Sequence, residues 1–164
     1  MDWYTPKYLK PHELVDRATY NKAKSMGKLH YIYWQFNPLV LITADMLRER
    51  FGAVTVNNWY TGGSFQERGL RSSSTSTGAT FSAHKVGAAL DCNFKDASAA
   101  EVRRVMKELG CFKPGFRNNI TKESECFKHI GRIENTQNGK QISWFHFDIC
   151  NCYNADGSIV SLDI

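Results

Sequence analysis

The sequence has no apolar run that approaches the length of a membrane-spanning helix. Its first seven residues show neither the basic stretch nor the apolar stretch of a signal peptide. The first absence predicts no insertion into a membrane. The second predicts synthesis in the cytoplasm without a signal peptide, so that action elsewhere would require another route of release or delivery.

A disulfide framework is also missing, because the five cysteines are odd in number and no signal peptide precedes them. Cys150 and Cys152 are separated by one residue, which is too close for the Cys-x-x-Cys spacing of a zinc knuckle. We expect the cysteines to be buried or partly buried free thiols.

The chain lacks a dense basic run and a recognisable nucleic-acid-binding motif. Its 21 lysine and arginine residues exceed the 16 acidic residues and give a net charge of +5, but they are spread along the sequence. A positive field raises the local concentration of anionic partners, such as nucleic acid or an anionic cell-wall polymer. The scattered pattern argues against nucleic acid as the partner.

What is present indicates a globular protein, with 42% hydrophobic and 23% charged residues. A length of 164 residues suits one domain with its own core. We therefore expect residues 1–164 to form a single domain, with residues 1–36 as an aromatic and polar segment packed on it. The aromatic cluster at residues 31–36 is expected to cover the core.

Two helices are predicted from their end signals and apolar periodicity. The first follows Asn37 as N-cap, starts with Pro38 and ends at Gly52. The second covers residues 96–109. The first is expected to bury one apolar stripe, formed by Leu39, Ile42, Met46 and Leu47.

Strands are predicted at residues 54–56 and 90–94, and a hairpin pairs residues 130–134 with residues 141–149 around a turn at residues 135–139. The expected fold class is α+β, a single domain in which an antiparallel sheet is flanked by helices.

The segment 82–91 contains two metal-ligand residue types, His84 and Asp91, separated by small residues. A histidine nitrogen and a carboxylate oxygen supply two of the three protein ligands of a catalytic zinc site. His146 lies far downstream on a predicted strand and offers the third ligand. Alternation on that strand places Trp144 and Asp148 on the same face as His146. We predict a three-ligand zinc site with its fourth position open to water.

The pattern Ser-x-His-x-x-Gly-x-Ala-x-Asp at residues 82–91 resembles the zinc-binding signature of the D-Ala-D-Ala carboxypeptidase and L-alanyl-D-glutamate endopeptidase family. These are peptidoglycan peptidases whose metal-site fold is shared with the hedgehog signalling domain. Residues 69–72, Gly-Leu-Arg-Ser, resemble an element that precedes that signature. Residues 144–148 resemble the C-terminal signature of a branch often encoded in phage genomes. The resemblance covers residues 37–150.

The resemblance implies a hedgehog-like fold, one zinc ion held by His84, Asp91 and His146, and Arg71 as the anchor of the substrate. It implies a monomeric metallopeptidase that hydrolyses a peptide bond in the stem peptide of peptidoglycan, as a carboxypeptidase or an endopeptidase. A phage-type lytic enzyme would reach the cell wall after release through a membrane pore, or as part of a virion.

The general base is an open assignment. Many family members carry an acidic residue three positions before the last histidine, where this chain has Ser143. Glu134 is the preferred base, since residues 132–134 resemble an Arg-Ile-Glu element of the same branch, although a bulge would turn its side chain away. Asp148 is the alternative base, or else it orients His146.

Three further histidines lie outside the predicted ligand set. His129 and His12 are additional candidates, His129 as a stabiliser of an oxyanion. His30 is interpreted as structural.

Two other functions compete with the peptidase. A peptidase-fold protein that binds metal without catalysis would serve as a wall-binding or virion structural module, and Ser143 motivates this alternative. A nucleic-acid-binding protein would bind DNA with a steep salt dependence.

Overall fold

A five-stranded sheet lies at the centre of the computed structural model, which describes residues 4–150 and 155–164. The order of its strands is β1-β2-β4-β3-β5. Their bounds are Val54–Thr55 for β1, Ala89–Phe94 for β2, Arg132–Gln137 for β3, Lys140–Asp148 for β4 and Val160–Asp163 for β5. With its helices, the sheet confirms the predicted α+β class.

The sheet is mixed, so the prediction of a purely antiparallel sheet is wrong at one edge. The pairs β1–β2, β2–β4 and β3–β4 are antiparallel, but β5 runs parallel to β3. Asp148 at the end of β4 and Val160 at the start of β5 both pair with Arg132. The chain therefore enters β5 at the end of the sheet where it left β4, and β5 runs against β4 and along β3.

In the part of the chain that the structure describes, four α-helices accompany the sheet. Their bounds are Pro11–Leu14 for α1, Arg17–Ser25 for α2, Pro38–Phe51 for α3 and Ala99–Glu108 for α4. Short 3-10 helices occupy Leu29–Gln35, Trp59–Thr61, Ala83–Val86, Phe116–Asn118 and Glu125–Phe127. None of the helices in the described part of the chain combines the length and apolarity needed to cross a membrane.

Helix α3 begins and ends where its sequence signals predict. The Asn37 side chain accepts a hydrogen bond from the Leu39 N–H at 3.0 Å, and Gly52 ends the helix at a positive φ of 81°. The predicted apolar stripe is confirmed only in part, because Leu47 is buried and Leu39 and Met46 are partly buried against the core. Helix α3 packs on β1, β2 and the Glu125–Phe127 turn, which buries a broader surface. Its buried apolar residues are Val40, Leu41, Ala44, Leu47 and Phe51.

The N-terminal segment is bonded to the rest of the domain. The Tyr4 hydroxyl and the Lys7 backbone N–H both donate to Asp45 of α3, at 2.6 and 2.7 Å. Of the aromatic cluster at residues 31–36, Phe36 is buried, but Tyr31 and Trp34 stack on each other and stay 37% and 40% exposed. The cluster therefore covers the core in part, through Ile32, Tyr33 and Phe36.

The hairpin of β3 and β4 turns more tightly than predicted. Asn138 and Gly139 form its turn, with positive φ values of 51° and 73° that suit the twist of an antiparallel pair. The register breaks above the turn, since Glu134 pairs with His146 while Thr136 pairs with Gln141. A single residue of β3, at position 135, therefore lies opposite four residues of β4, at positions 142–145.

Helix α4 starts at Ala99, three residues after the predicted start. Ser98 is its N-cap: the Ser98 hydroxyl accepts from the Glu101 N–H, and the Glu101 carboxylate accepts from the Ser98 N–H at 2.7 Å. This reciprocal pair satisfies two backbone donors at the helix start.

Three cysteines confirm the prediction of buried free thiols, namely Cys92, Cys111 and Cys126. Cys152, and with it the close spacing to Cys150, lies outside the described residues.

Candidate metal centre

Two adjacent strands bring the predicted ligands Asp91 and His146 together. The register of β2 and β4 places them directly opposite each other, so their side chains lie on the same face of the sheet. The third ligand, His84, comes from the 3-10 turn that precedes β2. All three side chains are buried, with exposures of 2% for His84 and 5% for the other two.

Gly87 makes the turn between His84 and Asp91 possible. Its φ of 64° lies in the left-handed region, where residues with a Cβ are strained. A Cβ at this position would also collide with the Gln35 carbonyl, and the Gly87 carbonyl accepts from the Asn37 N–H at 3.0 Å. Gly87 is therefore required by the close approach of the Gln35 backbone to this turn.

The spacing of the three ligand atoms fits a small cation. His84 Nε2 lies 3.3 Å from His146 Nδ1 and 3.4 Å from Asp91 Oδ1, and His146 Nδ1 lies 2.8 Å from Asp91 Oδ1. Tetrahedral ligands at zinc distances of about 2.0–2.1 Å lie about 3.3 Å apart. The two distances from His84 match this spacing, whereas the shorter distance between His146 and Asp91 is that of a hydrogen bond. The buried His/Asp/His cluster can therefore hold a metal ion, and its donor atoms suit zinc.

Hydrogen bonds fix which histidine nitrogen faces the centre. His84 Nδ1 lies 2.8 Å from the Gly69 carbonyl, which can only accept, so Nδ1 carries the proton and Nε2 presents its lone pair. His146 Nδ1 faces the centre, and its Nε2 lies 3.6 Å from Asp148 Oδ2. The Asp148 carboxylate is held in turn by the Arg132 Nε and Nη2 groups at 2.8 and 2.7 Å. These outer partners orient the ligands.

The charges of the centre are strongly coupled. Burial by itself would raise the pKa of Asp91, but hydrogen bonds with His146 and His84 outweigh burial and hold this pKa well below its ordinary value. Burial would lower the pKa of His146, but hydrogen bonds with Asp148 and Asp91 raise it to about 9. The centre therefore favours an ionised carboxylate beside positive charge, which a bound cation would supply in place of the proton.

Arg71, predicted to anchor the substrate, bonds to a ligand. Its Nη2 pairs with Asp91 Oδ2 at 3.0 Å, and its Nε donates to the Glu67 carbonyl at 2.6 Å. The ion pair leaves Asp91 Oδ1 directed at the two histidines. Arg71 also lines the cavity at the centre, so both roles are compatible with its position.

Glu134 and Asp148, the two predicted bases, lie in different surroundings. Glu134 pairs with His146 across the sheet, ahead of the register break, so its side chain is not turned away. Its Oε1 lies 3.8 Å from His146 Nε2, and it lines a cavity of about 530 Å³ with all three ligands. Asp148 is 1% exposed and bonded to Arg132 and the Cys150 N–H, which suits orientation of His146 better than proton transfer.

A second cavity of about 560 Å³ adjoins the first and shares Arg71, Thr77, Asp91 and Trp144 with it. Thr77 belongs to a stretch rich in Ser and Thr, residues 72–80, which therefore contributes to the rim of both cavities. The second cavity is also lined by Phe65 and Arg68, which the sequence analysis did not single out. Their only signal in the sequence was the presence of an aromatic and a basic residue shortly before Arg71, which could have indicated that they belong to the site.

The other histidines line neither of these two cavities. His12 stacks on Tyr60 with ring centroids 4.2 Å apart, and His30 packs edge-on against Tyr31 and Trp34. His129 is half-buried just before β3, and burial lowers its pKa.

No family model matches this chain, and no match was found among curated proteins or solved structures. The candidate centre is therefore defined by its own side-chain geometry.

Proposed function

We propose that this protein is a zinc metallopeptidase that hydrolyses a peptide bond in the stem peptide of bacterial peptidoglycan, as a carboxypeptidase or an endopeptidase. The observation that carries the proposal is the buried set His84, Asp91 and His146, whose ligand atoms converge within 3.4 Å of one another and line an open cavity. The resemblance of residues 69–72, 82–91 and 144–148 to peptidoglycan peptidases supplies the substrate class.

A bound zinc ion supplies a water of lowered pKa and an electrophile for the scissile carbonyl. Glu134 would be the general base, which accepts a proton in the cavity and donates it to the leaving amine. Its half-buried carboxylate lines the cavity, and no described residue donates a hydrogen bond to it. Asp148 keeps His146 in the orientation that presents Nδ1 to the centre. Arg71 binds Oδ2 of Asp91 and so keeps its Oδ1 directed at the centre.

The setting that we propose is a cell wall reached after lysis-related release or from a virion. The net charge of +5 supports attraction to an anionic wall. The fold that we propose for the centre is the hedgehog-like one, which has the same order of ligands along the chain.

The proposal is tested on purified peptidoglycan with zinc-loaded protein, by the release of new free amines and by metal content. We expect the His84→Ala variant to lose both zinc and activity. Glu134→Gln should retain zinc and lose about 100-fold or more in kcat, as expected for a general base. His30→Ala is the matched control, since His30 lies among Tyr31 and Trp34, and it should behave as wild type.

Two results would contradict the proposal. Full activity of the His84→Ala variant without metal would refute the proposed metal centre. If walls release no amines when treated with zinc-loaded wild type, the peptidase proposal is refuted.

The second candidate is a metal-binding module without catalysis. Ser143 favours it, because this exposed residue offers no carboxylate where many family members carry one. Zinc-loaded wild type that sediments with walls and leaves them intact would establish this alternative.

A further inference from the structure

The cavity beside the metal centre contains a second arginine, Arg68, with an unusual environment. Its guanidinium carbon lies 3.5 Å from the ring centroid of Phe65 and 5.7 Å from that of Trp144. Flat contact with aromatic rings restrains a guanidinium while leaving its N–H edge free to bind a ligand. All three residues line the cavity of about 560 Å³ that also contains Asp91.

The backbone of Arg68 is bonded directly to the strand that carries the ligand Asp91. The Asp91 N–H donates to the Arg68 carbonyl at 2.8 Å, and the Arg68 N–H donates to the Asn57 side-chain oxygen at 3.0 Å. The Arg68 side chain donates through Nη1 to Asn93, two residues beyond Asp91 on the same face of β2. The position of the guanidinium is therefore fixed relative to the metal centre.

Arg68 forms no ion pair with a described carboxylate, although the charge of Asp91 acts on it from a greater distance. Arg71 and Arg132 each pair with a carboxylate, Asp91 and Asp148, whereas no described carboxylate lies within 4.0 Å of the Arg68 guanidinium. Burial is the main influence on Arg68 and lowers its pKa. A half-buried cation with one hydrogen bond, out of five N–H groups, has donors left for an anionic ligand.

We propose that Arg68 binds a carboxylate of the substrate beside the scissile bond, and so determines specificity for an acidic peptide. This inference rests on the proposed function and places the anionic contact on Arg68, because Arg71 already pairs with Asp91. A fork of two N–H groups matches a carboxylate in geometry and charge. The carboxylate has two sources in a stem peptide, the C-terminus and an internal glutamyl residue.

The test compares synthetic stem peptides in three forms: unmodified, with the C-terminal carboxylate amidated, and with the internal glutamyl carboxylate amidated. We expect Arg68→Gln to lower kcat/KM for the unmodified peptide by about 10- to 100-fold, mainly through KM, as for loss of a charged hydrogen bond. For one of the amidated peptides, kcat/KM of the wild type should fall by the same factor, and Arg68→Gln should cause no further decrease. That peptide identifies which carboxylate Arg68 binds.

Two further variants separate recognition from folding. Arg48→Gln is the matched control, because Arg48 also lies over an aromatic ring, that of Tyr8 at 4.6 Å, but lines neither cavity at the site. It should leave all three peptides unaffected. Phe65→Leu keeps the charge of Arg68 and removes its contact with the Phe65 ring. We therefore expect a smaller loss of kcat/KM, confined to peptides with the recognised carboxylate.

Calorimetric titration of the same peptides separates failure of this inference from failure of the peptidase. If wild type binds the unmodified peptide through Arg68 but cleaves none, the peptidase proposal fails and the carboxylate site stands. If cleavage occurs and Arg68→Gln weakens all three peptides equally, the carboxylate site is overturned and the peptidase stands. Absence of both binding and cleavage overturns both.

Discussion

At the scale of single residues, each candidate ligand has a second partner that directs one of its atoms at the centre. His84 is held by the Gly69 carbonyl, Asp91 by Arg71, and His146 by Asp148. Such partners fix ring orientation and raise ligand basicity. Asp148 was predicted both as a base and as an orienter, and its burial with Arg132 favours the second role.

Asp148→Asn should weaken zinc binding by about 10- to 100-fold, as for other outer partners of ligating histidines. The amide has no charge to stabilise the His146 N–H and leaves Arg132 without its carboxylate. Competition with a chelator of known affinity measures the effect. Asp163→Asn is the matched control, because Asp163 bonds to Thr136 at 2.8 Å on the outer strand. Equal zinc affinity of the two variants would show that Asp148 does not orient the ligand.

At the scale of elements, the irregular part of the hairpin is supported by one side chain from α4. Arg103 is 6% exposed and donates to the backbone carbonyls of Glu134, Ile142 and Trp144, at 3.2, 3.1 and 2.6 Å. These carbonyls lie at the register break, where regular pairing of the strands is lost. Arg103 thus replaces missing ladder bonds and holds the strand segments that carry Glu134 and Trp144.

Arg103→Met should lower the free energy of unfolding by about 3 kcal/mol, because buried carbonyls lose a charged donor. Urea denaturation measures this loss, with an unchanged slope as evidence that the folded state is otherwise intact. Arg104→Met is the control from the neighbouring position, where the exposed Arg104 pairs with Glu108, and should change stability by less than about 0.5 kcal/mol. Similar losses in both variants would refute the role of Arg103.

At the scale of the whole molecule, the candidate metal centre joins parts of the chain that are distant in sequence. Its ligands come from the Ala83–Val86 turn, from β2 and from β4. The turn contacts the N-terminal segment through Gly87, and that segment is bonded to α3 through Asp45. A ligand bound here therefore favours the folded state of the domain as a whole.

Zinc should raise the thermal stability of the protein. A free concentration 100 times the dissociation constant contributes about 2.7 kcal/mol, which corresponds to about 5–10 °C in melting temperature for a chain of this size. Thermal unfolding with zinc and with a chelator measures the shift. The His84→Ala variant should show no shift, and an equal shift in that variant would place the metal elsewhere.

The sequence by itself determined features that depend on neighbouring residues. The cap and first turn of α3 follow from Asn37 and Pro38, because capping is a local hydrogen bond. Strand alternation placed the His146 side chain on the face of β4 opposite to that of the buried Phe145 and Phe147. The residue types at positions 84, 91 and 146 likewise predicted a metal site. The fold brings His84, Asp91 and His146 together.

Only the tertiary structure decided features that depend on distant contacts. The parallel edge strand β5 follows from where the chain re-enters the sheet, and the buried surface of α3 follows from its several neighbours. The bonds of Arg103 to the register break, and the cavity position of Arg68, join elements separated by many residues. Such contacts leave no local periodicity in the sequence, because they arise when the elements pack together.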